Sequence, residues 1–239
     1  SNLVFTPGAM RYIGTGTTTD RLFTIGSNVT FSANGTGSLD FSSAGDHVFS
    51  GTTSRTLSLT GIYEGENHIR GTIANPSSGT TGLNKFGHTK WTLSGNNSFS
   101  GTAEIQAGTL VADHSGGKNA IGNPSQITLN NGNLVIKAGT TNVVKTLTNV
   151  RLSSGNLALS NNLTLDSASG SPGIQLTLTT LAGNPTTANT MLSNLFDLSS
   201  NPANSITASA FANGLATVAK TGASAACYTV VMLSDRTNN

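Results

Sequence analysis

The sequence predicts an all-β chain wound as a parallel β-solenoid, and three observations carry the prediction. Short stretches alternate apolar and small polar residues, with almost no helical periodicity. Leucines recur every 17 to 19 residues. Only 9% of the 239 residues are charged, against about 25% in ordinary soluble proteins, and Gly, Thr, Ser and Asn fill much of the rest. A long-helix or coiled-coil protein is excluded by that composition.

The alternating stretches run in order through Leu22–Ile25, Val29–Phe31, Leu39–Phe41, Leu57–Leu59, Trp91–Leu93, Ile127–Leu129, Leu134–Ile136, Leu157–Leu159, Leu163–Leu165 and Leu176–Leu178. Each places two apolar residues on one face with a small or polar residue between. Turn formers separate them, among them Asn34-Gly35, Asn131-Gly132 and Ser169-Gly170-Ser171-Pro172. The spacing then decides the architecture. Leu22, Leu39 and Leu57 are 17 and 18 apart, Leu93, Leu110 and Leu129 are 17 and 19 apart, and Leu134 to Leu152 is 18. A sandwich would repeat at about 8 to 12 residues. Coils of 17–19 residues, stacked about 4.8 Å apart, would bury an inward Leu/Ile/Val/Phe row that no single coil can bury alone. Residues 1–185 would make about ten such coils.

Residues 186–239 read differently. Apolar residues at 191, 192, 195 and 198 have a spacing compatible with a short helix or turn, and two apolar segments follow, Ile206–Val218 and Cys227–Leu233. An open solenoid end needs covering, so this segment is expected to be an irregular cap or a docking surface. Cys227 is the one cysteine, which excludes an intrachain disulfide. It reads as a small buried hydrophobe, with an interchain disulfide or reactive thiol as the alternatives.

Twelve basic and ten acidic residues leave a net charge of +2. That balance suits neither a nucleic-acid partner nor a polybasic membrane surface. No apolar run reaches the roughly 18 residues of a membrane span. The chain opens Ser1-Asn2-Leu3 without a signal-type leader, which reads as a mature product or fragment. Phosphate-loop, zinc and calcium-repeat spacings are missing, so no cofactor and no metal are expected. One cluster of chemistry-bearing residues stands out: Asp46, His47, Glu64, Glu66 and His68. Glycan hydrolysis would need two carboxyl groups about 5 to 10 Å apart, and adjacent coils could bring Asp46 beside Glu64 or Glu66. The alternatives are a ligand-binding site and a plain solvated loop, Tyr63–His68. No catalytic residue is assigned.

Residues 82–112 carry the clearest motif. Gly82, Leu83, Lys85, Gly87, Trp91, Leu93, Gly95, Asn97, Phe99, Gly101, Ile105, Gly108 and Leu110 resemble the passenger-associated, autotransporter-type β-strand repeat of bacterial surface proteins. Phe86 and His88 depart from the small residues usual there. The resemblance implies a right-handed parallel β-helix, export to the extracellular space or cell surface, and adhesion, aggregation or scaffolding. Independently of it, the glycines punctuate at six to eight residues, as solenoid corners require. Trp91, Leu93, Phe99, Ile105 and Leu110 can then all point inward.

Three functions compete at this point. A structural or adhesive surface stalk or fibre comes first, forming a homo-oligomer or polymer through its solenoid ends. A glycan- or receptor-binding module of an adhesin or phage tail spike is second, and a polysaccharide-active β-helix enzyme third.

Overall fold

The chain climbs by repeating one circuit of two or three strands, each strand lying in parallel beside its counterpart in the next circuit. This computed structural model describes residues 2–153, 160–184, 193–197, 201, 203–209, 211–212 and 227–230. The first coil holds β1 (Leu3–Phe5), β2 (Gly8–Tyr12) and β3 (Thr17–Thr19), and the second β4 (Phe23–Ile25), β5 (Val29–Ala33) and β6 (Leu39–Phe41). The third holds β7 (Val48–Phe49), β8 (Arg55–Gly61) and β9 (Glu66–Ile69). Two strands per coil follow: β10 (Thr81–Lys85) and β11 (Lys90–Leu93), β12 (Thr102–Ile105) and β13 (Thr109–Asp113), then β14 (Gln126–Leu129) and β15 (Asn133–Gly139). Beyond them come β16 (Val143–Ser153) with β17 (Ser160–Ser167), and β18 (Ile174–Asn184) with β19 (Ser193–Asp197). The remaining described strands are β20 (Ser205–Ala208), β21 (Phe211–Ala212) and β22 (Cys227–Val230).

Three ladders result. Sheet A is short, β1-β4-β7; sheet B runs β2-β5-β8-β10-β12-β14-β16-β18-β20; sheet C runs β3-β6-β9-β11-β13-β15-β17-β19-β22. Every described pairing is parallel except β19 with β22, where the last strand turns back on sheet C. Nine strands at about 4.8 Å each give ladders of about 40 Å. No described residue is helical. The fold is therefore a parallel β-solenoid.

Alternation explains why the coils close. In β5, β8 and β15 buried and half-buried residues alternate without a break, so one face of each strand lines the interior. The inward rows stack like on like: Leu57 on Leu83 in sheet B, and Trp91 on Leu110 on Leu134 on Leu163 in sheet C. Near the start the core is aromatic. Phe31 meets Phe5, Phe23 and Phe41 at ring-centroid distances of 5.0, 5.2 and 5.3 Å. Each fully buried Phe or Leu contributes about 2–3 kcal/mol relative to exposure.

Coil length differs from the 17–19 residues read from the leucines. The register advances by 19 residues from Trp91 to Leu110, by 28 from Val29 to Leu57 and by 31 from Val143 to Ile174. The leucine series joined positions that do not stack. Leu39, Leu110 and Leu134 lie in sheet C, whereas Leu57, Leu129 and Leu152 lie in sheet B. Leu93 and Leu110 stand on paired strands of sheet C two residues out of register, whereas Leu39 to Leu57, Leu110 to Leu129 and Leu134 to Leu152 measure the walk from sheet C across the third side to sheet B. The variable lengths sit at that side, which holds short strands in the first three coils and loops in the next three.

Within 189–198, Ser193–Asp197 is a strand paired in parallel with β17, not a helix. The rest of that stretch, and much of the expected cap at 186–239, lies outside the described residues.

Candidate functional site

Sheet C turns its polar face outward, and that face gathers charge. Its central outward row aligns Asp40, His68 and Thr92. On one side Glu66 lies beside Lys90; on the other, Asp113 is followed by Lys137 and Asp166. The contacts are ion pairs across coils. Arg70 grips Asp40 through two nitrogens, Nη2 to Oδ2 at 2.8 Å and Nε to Oδ1 at 3.0 Å, and these bonds raise the guanidinium's pKa further. Lys90 lies 3.5 Å from Glu66, and Lys137 lies 3.5 Å from Asp113. Burial pushes the Glu66 carboxyl upward, but the Thr92 hydroxyl donating to Oε1, together with Lys90 and His68, brings it below its usual value. Asp113 is likewise lowered against its burial, by Ser115 and Lys137. His68 is lowered by burial. Asp40, Glu66 and Asp113 are each paired with a base from a neighbouring coil, which suits a ladder of interlocked coils.

The five residues singled out from the sequence fall in four places. Glu66 and His68 share this outer face on β9. Glu64 is exposed in the turn entering that strand, and Asp46 is exposed beyond its far end, bridged in parallel to Thr72. Glu64 and Asp46 thus lie a strand's length apart, about 13 Å or more, beyond the separation of a glycosidase carboxylate pair. His47 points the other way. It is 3% exposed, its Nδ1 accepts the Phe23 amide at 3.2 Å, and Nε2 meets no partner. Burial lowers its pKa to about 4, against a smaller opposing pull from Asp46. Among the described residues no three His, Cys, Asp or Glu side chains converge on a metal position.

Sequence reasoning missed Asp40, Arg70, Lys90, Asp113 and Lys137. Their partners lie 24 to 30 residues away, and only the true coil register would have lined them up.

The motif at 82–112 holds the coils together. Leu83, Trp91, Leu93, Phe99, Ile105 and Leu110 are buried, and the Trp91 indole N–H donates to Thr60 O at 3.2 Å. Lys85 is fully buried, with Nζ donating to the carbonyls of Phe86, Gly87 and Ala107 at 3.1, 2.9 and 2.9 Å. It thereby seals the corner between sheets B and C across two coils, and its burial pushes its pKa down to about 8. Asn97 accepts the Ile73 amide through Oδ1 at 2.8 Å and donates through Nδ2 to Ala120 O. Asn67 plays the same part in sheet C, between the Leu39 amide and Lys90 O. Gly87 and Gly108 take φ of 70° and 64°, as their corners demand.

This same stretch, residues 83–112, matches the family of the passenger-associated-transport-repeat. Residues 83–112 thus carry a passenger-associated-transport-repeat. Over 144 residues, 59% of its length, the chain is also 34% identical to a protein of Brucella suis biovar 1 (strain 1330) named adhesin BmaC autotransporter. The chain corresponds to 4% of that relative's length. No solved structure matches it significantly. The repeat family and the parallel ladders agree: the motif residues are those that close one solenoid coil upon the next.

Proposed function

We propose that the chain is a non-catalytic adhesive solenoid, exported to the bacterial cell surface, where it forms part of a stalk or fibre. The observation that carries this reading is the continuous parallel ladder bearing the passenger repeat, in a chain similar to an autotransporter adhesin. A ladder of this kind supplies length and stiffness from a simple circuit, and each coil rests only on its neighbours. The outer face of sheet C adds ion pairs between coils. Turnover of a surface polysaccharide that is lost in Glu64→Gln or Glu66→Gln would overturn the non-catalytic part.

End-to-end growth is part of the proposal. A parallel ladder grows by laying one coil on the next, and the coil added here would come from a second copy of the chain. Multi-angle light scattering over a concentration series, with negative-stain imaging of the same samples, tests this. Mass that grows with concentration, together with filaments, is the expected result. A rod that stays monomeric at high concentration removes the stacking and leaves a capped stalk segment.

A further inference from the structure

A cleft of about 270 Å³ opens where the turn after β13 faces the start of β16, lined by His114, Lys118, Asn119, Asn142, Val144 and Lys145 among others. It lies on the third side of the solenoid, just past Asp113 at the end of the outer face of sheet C. Its electrostatics differ from that face. The Lys118 side chain makes no hydrogen bond or ion pair with the described residues. Lys145 spends its three protons on neutral oxygens, Asn119 Oδ1 at 2.8 Å, Gly122 O at 2.6 Å and Asn123 Oδ1 at 3.2 Å. Two ammonium groups therefore flank one cleft without a carboxylate between them. Asp113, the nearest acid in sequence, is engaged by Lys137 and Ser115.

The walls have the chemistry of a small polar ligand site. Buried beneath the cleft, His114 is 3% exposed and its Nε2 has no hydrogen-bond partner. Burial and the charge of Lys145 lower it to about 4, so it is neutral at pH 7 and leaves the two lysines to set the sign. Exposed Asn142 offers an amide, and Val144, 67% exposed, offers an apolar surface beside it. The volume lies just under the roughly 300–1,000 Å³ of pockets for drug-sized ligands, which fits one or two sugar units.

We infer that this cleft binds an acidic saccharide unit, with the carboxylate on Lys118, the hydroxyls on the Asn142 amide and the C–H face of the ring on Val144. The site stands on its own geometry. It adds a ligand class to the adhesive reading, and its failure would leave the stalk reading untouched.

The test is nitrogen-15 NMR titration of the full chain with trigalacturonate, with maltotriose as neutral control and triaspartate as acidic-peptide control. Saturable shifts at Gly117, Lys118, Asn142 and Val144 with trigalacturonate alone are expected. Lys118→Gln, a change at a side chain without partners, should weaken binding about tenfold, as loss of a charged hydrogen bond does. Shifts of equal affinity with maltotriose would overturn the charge requirement, and equal affinity for triaspartate would overturn the saccharide. An absence of saturable shifts, or unchanged affinity in Lys118→Gln, would overturn the site.

Discussion

The imidazole of His47 lies flat on the ring of Phe23, centroids 3.4 Å apart and planes within 7°, while its Nδ1 accepts the Phe23 amide. One residue thus supplies a core contact and satisfies the backbone of the coil before it. The arrangement works only for a neutral ring, since a protonated Nδ1 would present a donor to the amide N–H.

Acid should therefore loosen the solenoid. His47 and His114 are both lowered from 6.5 to about 4 by burial. Between pH 6.5 and 4 the unfolded chain takes up protons that the folded chain refuses, so stability falls as pH falls through that window. Each histidine accounts for about 3 kcal/mol, most of it lost by pH 4. Urea unfolding at pH 7.5, 6, 5 and 4 measures it. A flat profile would show that neither ring is held neutral.

Lys85 gives a slope of the same sign in base. Its pKa is lowered to about 8 from 10.5 by burial. Above pH 8 the folded chain sheds this proton before the unfolded chain does, so the group's contribution to stability rises between pH 8 and 10.5, by about 2–3 kcal/mol. At pH 7 Lys85→Met leaves three carbonyls without their donor and should cost about 3 kcal/mol. The difference in stability between wild type and Lys85→Met, followed from pH 7.5 to 10, isolates the effect. A constant difference would contradict it.

Asn97 should be worth more than its surface suggests. It is 2% exposed and joins the Ile73 amide to Ala120 O. Asn97→Ala orphans both groups inside the stack, at a cost of about 2–4 kcal/mol. A chemical-denaturation midpoint unchanged from wild type would mean that water replaces the side chain.

Two glycines separate packing from backbone conformation. A Cβ at Gly101 would sit 2.6 Å from Gly82 N and from Thr81 O in the neighbouring coil. Gly101→Ala must push coils apart and should cost about 3 kcal/mol. At Gly116 a Cβ meets nothing within 4 Å, but φ is +77°, so Gly116→Ala should cost about 1 kcal/mol through conformation alone. Paired thermal melts give the order; reversal of the two would refute the stacking distances.

Strand chemistry made the fold legible before any coordinates. Alternation in stretches such as Arg55–Gly61 and Asn133–Gly139 reports which residues face inward, because a strand's side chains alternate at every residue. The repeat at 82–112 was legible for the same reason: Trp91, Leu93, Phe99, Ile105 and Leu110 stand at inward positions between corner glycines. Coil length was not legible. Leu39 and Leu57 are spaced like a repeat yet occupy different sheets.

Local alternation and turn chemistry carry the all-β class and most of the core residues, whereas the stacked parallel architecture was legible only through a repeat interval and the motif at 82–112. Tertiary structure alone decided which coil lies on which, and so which charges meet. The register brought Arg70 onto Asp40 and Lys90 onto Glu66, separated Glu64 from Asp46, and opened the cleft beside Lys118. The physical reason is that loops on the third side vary in length at little energetic cost. Contacts between coils therefore depend on how much chain each loop takes up, and no short motif records that.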